Sequence, residues 1–237
     1  MGALHAGHVA LFSAARNAAE VVVASIFVNP TQFGETEDFS SYPRNETKDA
    51  EVAAAAGVDI VFAPAVDEFY PPGFASWVTV DGPALELEGK CRPGHFRGVA
   101  TICVKLFTAI APRLAFFGQK DAQQVAVIKR VVRDLNLDVD IRVVPTVRDA
   151  DGLALSSRNA RLSVEERARA LSIPRALEAG LAAYRERRDP VGAARGRLMG
   201  LDVDYVAVVD FDGCPTLAVA ARVGRTRLID NVVLRRS

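Results

Sequence analysis

Two of the chain's 3 histidines, His5 and His8, stand within its first eight residues, "MGALHAGH", on either side of Gly7. An alanine-rich run with apolar residues at helical spacing, "VALFSAARNAAE", follows at once, so a helix is predicted over about 7–19 with both imidazoles on its first turn. There the free backbone N–H groups and the dipole favour an anion, and residues three apart share a face. Two imidazoles so placed can donate to phosphate oxygens as charge develops in phosphoryl or nucleotidyl transfer, and Gly7 removes a side chain that would keep the ligand off. Alone, HxGH is a weak pattern, and a pair of helix-capping surface histidines is its commoner meaning.

Other polar groups sit in loops after strands, where an open α/β sheet binds its ligands. Lys120, in "GQKD", opens a helix as a point charge for phosphate, with Asp121 beside it able to accept from ribose hydroxyls. "SSRN" offers Ser156, Ser157 and Arg158 on a polar, glycine-containing loop suited to a lid over polyphosphate. Gln32 and Gln124 can orient a carboxylate without locking its lone pairs in an arginine fork, as a nucleophilic carboxylate requires. Each has a plainer reading as a capped turn, dipole decoration or a solvated amide. Arg92 and His95 in "RPGH" either close over phosphates or decorate an exposed turn. "RERR" at 185–188 reads as a solvated helix end, and Cys103 as helix packing. Neither a P-loop nor GxGxxG is present, which weakens kinase, GTPase and dehydrogenase readings.

The elements that must position these groups alternate. "VVVASIFVNP" reads as a buried parallel strand, "NETKDAEVAAAAG" as a helix stopped by Gly57, and "VDIVFAP" as the next strand. "WVTVDG" reads as a short strand and "EGKCRPGHFRG" as a basic loop before the helix "VATICVKLFTAIA". Then come strand and helix in "RLAFFGQKDAQQVAVIKRVVRDLNL" and a strand in "VDIRVV". This order predicts a doubly wound α/β sheet ending near Val147. Beyond it, a capping box at Ser163 and Glu166 starts one long helix toward "YRERR", followed by another helix and the strands "VDYVAVVDF" and "TRLIDNVVL", a smaller α+β domain.

Bulk composition narrows the partners. With 29 basic and 29 acidic residues in 237, the chain carries no electrostatic footprint for nucleic acid or an anionic membrane. No run reaches the roughly 18 apolar residues of a membrane span. Cys91, Cys103 and Cys214 form no CxxC, so neither a disulfide framework nor a zinc site is indicated, and a reducing cytoplasm is expected.

Taken together, "MGALHAGH", "FVNPTQF", "YPR", "RPGHFRGVATICVKLF", "FFGQKDAQQ" and "VRDADGLALSSRN" resemble, in order and spacing, the pantothenate synthetases, the pantoate:β-alanine ligases. The resemblance implies the nucleotidyltransferase-like Rossmann fold of the HIGH superfamily, with "HAGH" and "LSSR" matching the HIGH and KMSKS motifs. It implies an ATP- and pantoate-binding domain over 1–147, a small C-terminal lid domain over 148–237, a homodimer, and Mg2+ accompanying ATP. Met1, Gly2, Ala3, Leu4, His5, Ala6, Gly7 and His8 would line the ATP site, with His8 catalytic, assisted by His5 and by Lys120. Gly118, Gln119, Lys120 and Asp121 would also bind ATP, as would Val147 at the adenine and Leu155, Ser156, Ser157 and Arg158 over the phosphates. Gln32 and Gln124 would hold pantoate, Gln32 also β-alanine, and Asp49 would aid the metal.

The same resemblance implies a strand ending in Pro-Thr directly ahead of "MGALH". The chain as given is therefore expected to begin at an internal methionine, whether by a misplaced start, a genuine truncation or a decayed gene. Its sheet would lack the central strand between "VVVASIF" and "LAFFG". Those two would then lie about 10 Å apart, twice the usual spacing of about 4.8 Å, unless the slot fills or closes. On this expectation the 237-residue chain is insoluble or inactive, and an inactive nucleotide-binding homologue is the alternative function. The rivals are another adenylyl- or cytidylyltransferase, against which Gln32 and Gln124 argue, and a tRNA-synthetase-like fragment, against which the charge balance argues.

Overall fold

The computed structural model describes residues 2–34, 39, 42, 44–211 and 213–235. They divide into two compact units, one of residues 1–118 and 123–144, the other of residues 119–122 and 145–237. The second unit takes up the chain again at Pro145, and the short turn 119–122 belongs with it.

In the first unit the expected alternation is present, with shorter elements. Helix α1 (Ala6–Arg16) is followed by strand β1 (Val23–Ser25), helix α2 (Glu46–Ala55) and strand β2 (Ile60–Phe62). β1 and β2 run parallel with Val23 opposite Ile60, and Ile26 N–H extends the pairing to Phe62 O at 3.0 Å. Asn45 caps α2 by accepting from Lys48 N–H, and the chain leaves it through Gly57 at φ +82°. "WVTVDG" is not a strand: Val78 N–H donates to the Thr101 hydroxyl instead of a ladder partner. The short helices α3 (Val66–Phe69) and α4 (Glu88–Cys91) precede α5 (His95–Ile110), which starts at His95, inside the predicted loop. Strand β3 (Leu114–Gly118), helix α6 (Ala122–Asp134) and strand β4 (Asp140–Val144) form a parallel β-α-β unit with Leu114 opposite Asp140.

Among the described residues the four parallel strands make two separate pairs, β1 with β2 and β3 with β4, and no ladder joins β1 to β3. The core lies under α5 and α6, where Phe27, Phe69, Phe96, Val99, Ile102, Val127 and Ile128 cluster. Each such side chain contributes about 1.5–3 kcal/mol on burial. By contrast no residue of α1 is buried, and all five residues of β3 are only half-buried.

The second unit carries helices α7 (Val164–Ala170), α8 (Ser172–Arg185) and α9 (Pro190–Arg195), then strands β5 (Asp202–Asp210), β6 (Pro215–Val223) and β7 (Thr226–Val233). The capping box at Ser163 and Glu166 forms, but the helix it starts breaks at Leu171. Pro174 is the cause: without an N–H and crowding the preceding turn, it fits only the first turn of a new helix. The antiparallel sheet has the order β5-β6-β7, so its central strand is one that the sequence pattern did not reveal. "PTLAVAARV" is alanine-rich and lacks polar alternation because both its faces are covered: Leu217, Val219, Ala220, Ala221 and Val223 are fully buried. α8 presses on it at Gly180, where a Cβ would come within 2.2 Å of Leu217 Cδ2. No helix among the described residues is long and apolar enough to cross a membrane.

Candidate active site

The "HAGH" turn is fixed by its own imidazoles and by one buried carboxylate. His5 is the N-cap of α1: its Nδ1 accepts from Gly7 N–H at 3.1 Å, while His5 N–H donates to His8 Nδ1 at 3.2 Å. The rings lie 4.2 Å apart, tilted by 49°. The capping reading is thus realised, and it serves the ligand reading. A ring that accepts at Nδ1 carries its proton on Nε2 when neutral, the form that donates to an anion.

Ahead of the cap, Ala3 takes a left-handed φ of +54°, and Asp49 holds the turn there, each carboxylate oxygen accepting one N–H, from Ala3 and from Leu4, both at 2.8 Å. Asp49, expected to aid a metal, is buried, and one backbone N–H reaches each of its oxygens. Of the other residues expected to line ATP, Gly2 is buried and Leu4 half-buried, while Ala6 is exposed; Met1 lies outside the described residues.

A second cluster surrounds Gln32 in the "NPTQF" turn. Asn29, fully buried, donates from Nδ2 to Gln32 Oε1 at 3.3 Å and to Gly98 O at 3.1 Å, and its Oδ1 accepts from Tyr70 OH, Thr31 Oγ1 and Thr31 N–H. Gly98 permits this approach, since a Cβ there would meet Thr31 O at 2.3 Å and Gln32 N at 2.7 Å. Burial pushes the Tyr70 hydroxyl's pKa up, against its bonds with Thr31 and Asn29.

Arg92 and His95 neither decorate an exposed turn nor stand apart. His95 is buried, and its Nδ1 donates to Gln32 O at 2.8 Å, which turns its Nε2 into an acceptor for Arg92 Nη1 at 3.2 Å. Arg92 Nη2 also donates to Gln32 O, at 3.3 Å, and its Nη1 lies 3.6 Å from buried Glu88 as well. Gln124 is half-buried on the first turn of α6. Its neighbour Gln123 is the structural one, donating to Pro83 O and Glu86 O and accepting from Glu88 N–H. Cys103, with burial pushing its thiol up to about 12, has no thiolate chemistry to offer here.

Gly118 ends β3 in the first unit, while Gln119, Lys120 and Asp121 form a short 3-10 turn in the second. Asn231 of β7 donates from Nδ2 to both Gln119 O and Lys120 O, at 2.9 and 2.8 Å, and accepts from Gln119 Nε2 at 3.1 Å. Lys120 Nζ stands 4.0 Å from Asp121.

The loop from Asp149 to Asn159, expected to act as a lid, is held at its base by main-chain bonds. Leu155 N–H donates to Val147 O, Asp149 N–H to Leu153 O, and Arg148 bridges to Ala154. Arg167 of α7 grips Asp149 and Asp151, and the guanidinium holds the Asp151 carboxyl below the usual carboxylate range. Ser156 caps the turn that starts at Ser157, accepting from Arg158 N–H at 3.2 Å. Below the loop, Arg148 makes a two-pronged ion pair with buried Asp230 at 2.6 and 3.1 Å. Burial pushes the Asp230 carboxyl up, opposed chiefly by Arg148. Asn29, Gln123, Asp230 and Asn231 were missed in the sequence. The signal for the last two was a polar pair inside an otherwise apolar strand, "RLIDNVVL".

An α/β chain with paired histidines capping a helix N-terminus, a lysine turn after a parallel strand and a serine-arginine loop defines the HIGH-motif nucleotidyltransferase-like class. The comparisons with known proteins narrow it. The family model described as pantoate-beta-alanine ligase matches residues 1–233. Pantothenate synthetase of Moorella thermoacetica is 52% identical over 251 residues, covering 99% of this chain and 88% of the relative. A crystal structure of pantothenate synthetase from Thermus thermophilus matches with a TM-score of 0.95 at 44% identity, over 99% of this chain and 91% of that one. A pantoate-beta-alanine ligase from Francisella tularensis, complexed with beta-gamma ATP and beta-alanine, matches with a TM-score of 0.86 at 35% identity, over 100% of this chain and 88% of that one. This chain belongs to the pantoate-beta-alanine ligase family.

Proposed function

We propose that this chain condenses pantoate with β-alanine to give pantothenate, in two in-line steps. A pantoate carboxylate oxygen bonds to the α-phosphorus of ATP as the bond to pyrophosphate breaks. The β-alanine nitrogen, unprotonated, then attacks the acyl carbon; AMP leaves and the amine gives up one proton. The observation that carries this reading is the "HAGH" cap, which holds His5 and His8 as Nε2–H donors at a helix N-terminus. His8 stabilises charge on the phosphates, His5 assists it, and Lys120 adds a point charge. Gly118 to Asp121, Val147 and Leu155 to Arg158 hold the rest of the nucleotide. Gln32 and Gln124 hold pantoate, and Gln32, whose amide Asn29 orients, also meets β-alanine.

Asp49, each of whose carboxylate oxygens accepts one backbone N–H and keeps a second lone pair, is the residue that would aid Mg2+ accompanying ATP, and the ion would neutralise charge developing on the phosphates. The fold supporting this chemistry is a doubly wound sheet in which β1 and β2 form one parallel pair and β3 and β4 another, and 1–147 and 148–237 act as binding and lid domains. The protein works as a cytoplasmic homodimer, which sedimentation of the purified chain tests. Pantoate-dependent exchange of label between ATP and pyrophosphate tests the reaction. Exchange with pantoate alone supports it; a nucleotide-linked product, or ATP binding without exchange, refutes it. The second reading, a nucleotide-binding homologue without turnover, rests on the unjoined edges of β1 and β3.

A further inference from the structure

Asp230 and Asn231 belong to none of the motifs above, yet both are buried, 3% and 6% exposed, at adjacent positions of β7. The ladder with β6 places Asp230 opposite Val219 and Asn231 opposite Ala218. That pairing accounts for their main chains and leaves the side chains without a reason. Neighbouring strand residues point to opposite faces, so the two reach different segments.

Asn231 uses its amide on two successive peptides of the lysine turn. Its Nδ2 donates to the carbonyls of Gln119 and Lys120, and its Oδ1 takes the Gln119 side-chain N–H. Three bonds from one side chain fix the main chain from which Lys120 projects. Asp230 works the other way. It receives both Arg148 Nη atoms and the N–H of Asn231, and Arg148 in turn donates to Gly152 O at 3.1 Å. The carboxylate thereby anchors the base of the loop that carries Leu155 to Arg158.

Stability is a poor reason for this arrangement. A buried ion pair is often replaced by apolar side chains at no loss, and burial here works against the Asp230 anion. What an apolar pair cannot do is set the position of a turn and a loop by directional bonds.

We propose that Asp230 and Asn231 are positioning residues for ATP: Asn231 sets the Gln119–Lys120 turn, Asp230 sets the Arg148 loop, and neither touches the nucleotide. The inference rests on the proposed function's assignment of ATP to those two segments.

The test measures binding of ATP and of pantoate by calorimetry on the 237-residue chain, alongside pantoate-dependent exchange. The variants are Asn231→Ala, Asp230→Asn and the apolar double variant Arg148→Met with Asp230→Leu. Asn231→Ala and the double variant should weaken ATP about tenfold, since small misplacements of binding groups cost that much or more, while pantoate affinity stays within about twofold. Asp230→Asn should be milder, because an amide oxygen still accepts from Arg148. If Asn231→Ala does not fold, the double variant, which removes the clamp and keeps apolar packing, decides. A folded double variant with unchanged ATP affinity, or one that loses ATP and pantoate alike, overturns the proposal. An unsubstituted chain that binds ATP without exchange defeats the ligase reading only, and the variants' ATP affinities still judge the clamp. One that binds no ATP defeats both.

Discussion

A histidine at a helix start serves as cap and as ligand only if its two nitrogens divide the work, and His5 and His8 do so through Nδ1 bonds to the backbone. His8→Ala is therefore expected to slow adenylate formation by about 10² to 10³, the usual cost of one preorganised donor to developing charge, and to spare the coupling of supplied pantoyl adenylate to β-alanine. Single-turnover assays of each half-reaction check this; equal losses in both would make His8 structural. Gln32→Ala or Gln124→Ala should weaken pantoate and leave ATP affinity within a few fold, read by calorimetry, and the reverse pattern would overturn the assignment. Gly98→Ala is a sharper probe of the Gln32 turn, because the added Cβ meets Thr31 main chain, which must move. It should cost about 1–3 kcal/mol of stability, as overpacking does, and raise the KM for pantoate. Unchanged pantoate kinetics in a destabilised variant would separate packing from recognition.

At the scale of elements, the loop after β4 is held from α7, and that link is electrostatic. Arg167→Met should loosen residues 149–151, increase protease cleavage there, and lower Tm at neutral pH. The pH dependence has a definite sign. The Asp151 pKa in the folded chain lies below its ordinary 3.8, so its contribution is complete above that value and is lost as pH falls through the lower folded one. The Tm gap between the unsubstituted chain and Arg167→Met should thus hold at neutral pH and shrink below about 3.8; a gap that widens on acidification would show that the arginine acts otherwise. ATP should protect the loop from cleavage if it closes on phosphates, and unchanged cleavage at saturating ATP would count against a lid. The element readings that failed here have two causes. Pro174 split a helix whose apolar periodicity ran on, and β6 had no alternation to read because both faces of it are covered.

For the whole molecule, the two units differ in how their strands are held. β5, β6 and β7 make a continuous antiparallel ladder around a buried centre, whereas among the described residues β1 pairs through three residues with β2 alone and no residue of α1 is fully buried. Amide hydrogens of β6 should therefore exchange far more slowly than those of α1 and β1, because opening free energies follow local burial and bonding. Equal protection across both, measured by hydrogen-exchange mass spectrometry, would contradict that ranking. The motif residues were legible in the sequence: local chemistry sets a histidine cap, a lysine at a helix start and a serine-arginine turn, and strings such as "HAGH" and "GQKD" keep their spacing whatever surrounds them. The alternation of helix and strand was legible too, since apolar periodicity is a local signal. Tertiary structure alone decided the partners. That Asp49 would spend its carboxylate on Ala3 and Leu4, that Arg92 and His95 would converge on one carbonyl of Gln32, and that Asn231 would hold the turn of Lys120 all join residues dozens to more than a hundred positions apart. A buried polar group must find a partner, and which one it finds is set by what the fold brings within reach.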